Sequence, residues 1–230
     1  MSSSAGVLVV AAHPDDEVLG CGGTIARMAS EGAEVHVLLL ADGETSRAPE
    51  PAGHVAQAVA ARAAAAHEAG RILGCASVEL LGLPDNRMDG LERLVVVQEI
   101  ERVLQRWRPG VVLTHHAGDV NIDHRVIHDA VIAACRPQPD QPVRHLMFFE
   151  VPSATEWRPP GSGMPFCPSW FVNISATLAK KLEALRVYAS ELRQFPHPRS
   201  LEAVTALANW RGATVGVPAA EAFVLGRMLS

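Results

Sequence analysis

Positive charge is scarce in this sequence. Twenty Lys and Arg face 25 Asp and Glu, a formal net charge of −5, and no run of basic residues forms a patch. That excludes a general electrostatic pull toward nucleic acid or anionic membranes. Long apolar runs are missing too. None reaches the ~20 residues that a spanning helix needs. The opening MSSSAG has no basic segment followed by a long apolar one, so no signal peptide is visible and a cytoplasmic location is expected. The four cysteines, Cys21, Cys75, Cys135 and Cys167, lie tens of residues apart. That rules out a CxxC metal or redox pair and suits buried or half-buried thiols in a reducing compartment. Internal repeats, low-complexity tails and interdomain linkers are also lacking.

What is present is an ordinary globular balance, 48% hydrophobic and 20% charged over 230 residues. That is enough chain for one domain, 1–230, with a sizeable core. Gly6 to Ala12 is apolar, Val-rich and too short for a helix, so it reads as a strand buried on both faces. Helical spacing follows over Glu17 to Glu31. The pattern then predicts a strand at Glu34 to Leu40, a helix at Val55 to Leu73 and a strand at Val78 to Leu81. Further on come a helix at Leu91 to Trp107, a strand at Val111 to Thr114, a helix at His124 to Cys135 and a strand at Arg144 to Val151. Such alternation implies an α/β, Rossmann-like fold, a mostly parallel sheet flanked by helices. Pro152 to Ser169 reads as an irregular loop. A strand at Trp170 to Asn173, a helix at Ala176 to Leu192 and a last helix from about Leu201 complete the chain.

In open parallel sheets, ligands bind at the carboxyl ends of the strands. His13, Asp15, Asp16 and Glu17 follow strand one. The stretch THHAGDVNIDH, residues 114–124, follows strand four. Imidazoles and carboxylates arriving together are the ligands of zinc and similar divalent ions, and two His with one carboxylate leave open positions for chemistry. His13 and Asp16, three apart around Pro14, can point at one ion. Asp15 between them projects differently, where a carboxylate takes a proton from metal-bound water. For one such cluster alone, helix capping explains the acids equally well; a second His-rich cluster after another strand shifts the balance. The glycines of GCGG (20–23) suit close helix packing better than a phosphate cradle, because a phosphate would meet Asp15, Asp16 and Glu17.

These residues resemble a known family. AAHPDDEVLGCGGT and GDVNIDHRVIHDAV are similar to the two signatures of the PIG-L / LmbE-like deacetylases, metal-dependent N-deacetylases of N-acetylated sugars. DGETSR (42–47), GLPDNRMD (82–89) and the tail from HPRSLEAV to AEAF (197–223) look like the family as well. The resemblance implies an LmbE-like fold and a zinc site made of His13, Asp16 and His124, with Asp15 as general base. It also implies a substrate contact from Arg47 and an acidic pocket residue at Asp85. One departure stands out. Many members read HxDH, the first His facing the developing oxyanion, and here that position is Asn121, a neutral amide that donates a hydrogen bond but relays no proton. Either Asn121 with the metal stabilises the oxyanion, or His115, His116 or His197 takes the role. Sugars also stack on aromatic faces, so Trp157 or Trp170, flanking the Pro-rich loop, is a candidate pocket wall; a loop anchor is the plainer role for each.

The expected function is therefore a zinc-dependent hydrolase that removes acetyl from an N-acetylglucosamine-type amino sugar or its conjugate. Its partner is that small molecule, with no nucleic acid and no membrane span. Ligand type does not distinguish zinc from another divalent ion such as Fe2+, and the oligomeric state stays open, a homo-oligomer included. Two rivals remain: a Rossmann-like nucleotide- or metal-binding module without catalysis, and a metal-dependent phosphoesterase.

Overall fold

A computed structural model describes residues 6–46 and 52–230. Val7–Ala11 forms β1, every residue buried, as a doubly covered strand requires. Then follow α1 (Asp16–Ser30), β2 (Val35–Ala41), α2 (Ala52–Leu73), β3 (Ser77–Leu83), α3 (Arg93–Trp107), β4 (Val111–His115), α4 (Ile122–Ala134) and β5 (His145–Phe149). β6 (Trp170–Asn173), α5 (Leu178–Val187), α6 (Leu201–Ala213) and β7 (Ala220–Met228) finish the chain. The seven strands form one sheet in the order β3-β2-β1-β4-β5-β7-β6. Strands β1 to β5 run parallel, and β7 runs antiparallel to both β5 and β6. One apolar cluster fills each face of the sheet. No described helix is long and apolar enough to cross a membrane. All four cysteines are free; Cys167 is exposed, against expectation.

Strand order reverses between β1 and β4, which are hydrogen-bonded neighbours. A crevice opens at such a reversal, beyond the carboxyl ends of both strands. The two acid- and His-rich clusters leave the sheet there, side by side, though about a hundred residues apart.

Two differences from the sequence reading matter. The last segment holds a strand, β7, where only a helix was expected. α6 ends in a tight turn at Gly216, which takes a positive φ of 77°, and β7 then slots between β5 and β6. Its first four residues are all buried, so it lacks the alternation that marks a half-exposed strand. Secondly, α5 stops at Val187 rather than Leu192. The chain beyond it turns inward and brings Glu191 and Arg199 to the crevice.

β7 also steadies the helix that carries the site. α1 breaks at Cys21 (φ −146°, ψ 22°), which frees amides in mid-helix. The Glu221 carboxylate of β7 accepts from the Gly23 and Thr24 amides at 2.9 and 2.7 Å. Lys181 of α5 donates to that carboxylate at 2.6 Å and to the Leu19 carbonyl at 2.9 Å. The neighbouring glycines are there for packing, as expected: a Cβ on Gly20 would run into the Phe149 ring. Lys181→Met strands the Glu221 charge in a buried setting and is expected to cost about 3 kcal/mol of stability, read from urea denaturation. A loss below about 1 kcal/mol would contradict this account of the break.

Candidate active site

The turn after β1 is strained. Asp15 takes φ 128°, ψ −28°, a conformation that non-glycine residues rarely hold and that tends to occur where function requires it. Several bonds impose it. The Asp15 carbonyl accepts from the Val18 and Leu19 amides. Its own amide donates to Glu17 Oε2 at 3.0 Å, while Glu17 Oε1 accepts from the hydroxyl of Tyr188, the chain's one tyrosine, at 2.6 Å. Burial pushes the Glu17 carboxyl up to about 7 against the opposing Tyr188 hydrogen bond. Glu17, expected simply to start the helix, instead holds the backbone of its neighbour.

His13, Asp16 and His124 are buried together, each able to offer one donor atom to a shared centre. Asp16 Oδ2 lies 3.1 Å from His13 Nδ1 and 3.1 Å from His124 Nε2. The far nitrogens face carboxylates: His13 Nε2 is 3.1 Å from Asp123 and 3.0 Å from Asp85, and His124 Nδ1 is 3.0 Å from Asp119. Both imidazoles thus have a carboxylate behind them, the arrangement that fixes tautomer and ring direction in metal-ligating histidines. His115 stacks on His124 with ring centroids 3.8 Å apart, and its Nε2 accepts from the Ala12 amide at 2.8 Å.

This donor set fits a divalent ion. Asp16 Oδ1 is buried with no hydrogen-bond partner, and both His124 nitrogens, though close to Asp16 and Asp119, make no aligned hydrogen bond. Buried polar atoms are seldom left so. A second group, His13, Asp85 and Asp123, also lies close enough together to hold a metal, but its carboxylates are already occupied. Asp123 accepts from the Asn86 and Met88 amides at 2.6 and 3.0 Å, and Asp85 accepts from Ser46. It is the outer support of the first group.

Electrostatics agree. Burial pushes the Asp16 carboxyl up, but His124 and His13 outweigh it and hold it well below the usual range. Burial pushes His124 down, yet Asp16 and Asp119 raise it to about 9. His13 moves the same way, its burial overcome by hydrogen bonds to Asp123, Asp16 and Asp85. Protons on the imidazoles therefore balance the carboxylates, in the role a metal cation fills once bound.

Asp15 carries partners of its own. Its Oδ2 sits 3.0 Å from Arg199 Nη1 and 3.9 Å from Arg62 Nη1, while Oδ1 is buried and unpartnered. Burial lifts its pKa to about 6, with Arg199 opposing, so it is a base poised near neutrality. Arg62 also bonds Glu44, Glu191 and the carbonyls of Pro14 and Gly43, tying three segments around that carboxylate. Beside Asp15 opens a recess of about 110 Å³, its walls polar, from His13, Asp85, Asn86 and Asn121 on one side to Arg62, Glu191 and Arg199 on the other.

Of the other sequence candidates, Asp85 lines this recess while bonding His13. Asn121 lines it too, but its Oδ1 caps α4 by accepting from the Asp123 amide at 2.9 Å, and its Nδ2 donates to Asn86. Arg47 lies outside the described residues. His197 is not brought to the recess: its Nδ1 accepts from the Arg199 amide at 3.0 Å, and its ring stands edge-on to Trp157. His115 is committed to Ala12, and His116 Nε2 lies 3.1 Å from the Met164 carbonyl. The sequence reading missed Asp119, Arg62, Glu191 and Arg199. Arg62, alone in the apolar run AVAARAAAA, and Arg199, two residues from His197, carried faint signals.

An α/β crevice in which two His and one Asp could hold a metal ion, with the Asp15 carboxylate beside them, is the arrangement of a hydrolase-like protein. The chain belongs to the PIG-L family, whose description is GlcNAc-PI de-N-acetylase and which matches residues 8–135. It is 30% identical to a 1D-myo-inositol 2-acetamido-2-deoxy-alpha-D-glucopyranoside deacetylase of Saccharomonospora viridis, over 96% of this chain and 95% of that one. Among solved structures it is similar to a conserved protein of Thermus thermophilus (31% identity, TM-score 0.77, covering 98% and 96% of the two chains). It is likewise similar to the 4-carboxy-2-hydroxymuconate hydratase of Pseudomonas putida (26% identity, TM-score 0.78, covering 99% and 97%).

Two outcomes follow. Because an incoming ion displaces protons from His13 and His124, apparent zinc affinity in chelator competition is expected to rise with pH up to about 9; affinity independent of pH would contradict the ligand set. Asp119→Asn, which weakens the support behind His124, is expected to lower that affinity by about 10- to 100-fold. Unchanged affinity would remove Asp119 from the site.

Proposed function

We propose that the protein is a zinc-dependent amidohydrolase that removes acetyl from an N-acetylated amino sugar or its conjugate. The observation that carries this is the meeting of His13, Asp16 and His124 with the unpartnered Asp15 Oδ1 beside a polar recess. Family membership and the deacetylase relative support the substrate class.

His13 Nδ1, Asp16 and His124 Nε2 would hold the ion. Bound there, zinc supplies a water of lowered pKa and polarisation of the amide carbonyl. Asp15 Oδ1 takes a proton from the attacking water and returns it to the leaving amine. Arg199 holds Asp15 Oδ2, which leaves Oδ1 without a competing partner for that proton. Asn121 Nδ2, already directed along the recess wall, is the neutral donor for the oxyanion that the HxDH histidine serves elsewhere. Asp85, Asn86 and Arg47 are the polar contacts for sugar hydroxyls. His197, set against Trp157, acts at the rim through Arg199 rather than on the reacting atoms. The carboxylates at the start of α1 disfavour the phosphate of a nucleotide module, and one metal ion per chain rather than two separates the deacetylase from a phosphoesterase.

A second reading rests on the likeness to the hydratase: the same base and metal group would add water to a polarised double bond. Amine release from a panel of N-acetylglucosamine conjugates separates the two, because hydration releases no amine. Asp15→Asn is expected to keep near-stoichiometric zinc while amine release falls about 100-fold or more. Turnover close to the unsubstituted protein's would remove Asp15 from the mechanism.

A further inference from the structure

The recess beside Asp15 is small. At about 110 Å³ it falls well short of the roughly 300–1,000 Å³ of sites that enclose a drug-sized ligand. It takes an acetamido end and leaves the rest of a substrate outside. Beyond Arg199, which lines the recess, His197 carries the contact on to a half-exposed aromatic side chain. Trp157 is 52% exposed, whereas Trp170, the other tryptophan flanking the Pro-rich loop, lies in β6 and packs against the core.

Trp157 is linked to the recess wall through His197 and through its own chain segment. The His197 ring stands edge-on to it, centroids 5.6 Å apart and planes at 78°, and His197 Nδ1 accepts from the backbone of Arg199. The Arg199 side chain, which holds Asp15, donates through Nε to Ser153 Oγ at 2.7 Å, four residues before Trp157. Nearby Thr155 donates to Asp119, the carboxylate behind His124. The segment bearing Trp157 is thus fixed to both halves of the site. A platform held this way costs little ordering on binding.

We propose that Trp157, braced by His197, is the platform for a second sugar ring, the acetylated ring of the same substrate entering the recess. This rests on the deacetylase reading. The chemistry favours a sugar over a lipid. Trp157 is a single aromatic face between the charged Glu156 and Arg158. It matches a pyranose, with one C–H face and a rim of hydroxyls, and an alkyl chain would need contiguous apolar surface.

The test compares kcat/KM for N-acetylglucosamine and for its β-linked N-acetyl disaccharide. The unsubstituted protein is expected to prefer the disaccharide, and Trp157→Ala to lower that preference about tenfold. Trp157→Phe, which keeps an aromatic face, is expected to retain most of it. An unchanged preference in Trp157→Ala overturns the platform, as does an unsubstituted protein that treats both sugars alike. A loss seen only with an alkyl glycoside also overturns it, assigning the surface to an apolar aglycone. Release of amine from none of these sugars by the unsubstituted protein rejects the deacetylase reading itself, and the platform with it.

Discussion

Asp16 has no exposed route for its charge. It sits between two imidazoles at the end of β1, completely buried, and its neighbours exist in the form that this charge dictates. An unpaired carboxylate in such a place would cost several kcal/mol. The imidazoles compensate by keeping protons, and Asp119, Asp123 and Asp85 in turn orient the imidazoles. A cluster that stores positive charge as replaceable protons suits a cation, which would displace them. The geometry of the crevice follows from that requirement, because the strand ends of β1, β3 and β4 on one sheet edge bring these carboxylates and both rings together.

Asp15 differs from Asp16 through backbone strain and its arginines. One residue apart, the two acids take different partners, imidazoles for Asp16 and arginines for Asp15. Asp16 is held far below the ordinary range by imidazoles, whereas Asp15 is lifted to about 6 by burial despite Arg199. Pairs of acids driven apart in this way divide the labour of ligand and base. The strained φ at Asp15 is supported by Glu17 and Tyr188, so the tyrosine on α5's C-terminal side takes part in the chemistry at one remove.

Much of this was legible in the sequence. The run GVLVVAA followed by HPDD announced a buried strand with chemistry at its end, and DVNIDH after VVLT announced its partner. The fold's parallel core was readable because doubly buried strands leave near-continuous apolar runs. The antiparallel strand β7 was not, since its pairing is decided by space left between β5 and β6. The long-range supports were hidden as well. Asp119, Arg62, and the pair Glu191 and Arg199 come from three separate segments, and no local pattern distinguishes a surface arginine from one aimed at Asp15. Asn121 stands where the family resemblance puts a histidine; its role as the cap of α4 needed the backbone.

Anomalous X-ray scattering at the zinc edge, from crystals of the zinc-loaded protein, tests the central claim most directly. The account predicts one strong peak within bonding distance of His13 Nδ1, Asp16 and His124 Nε2. A peak among His13 Nε2, Asp85 and Asp123, or none in the crevice, would contradict it.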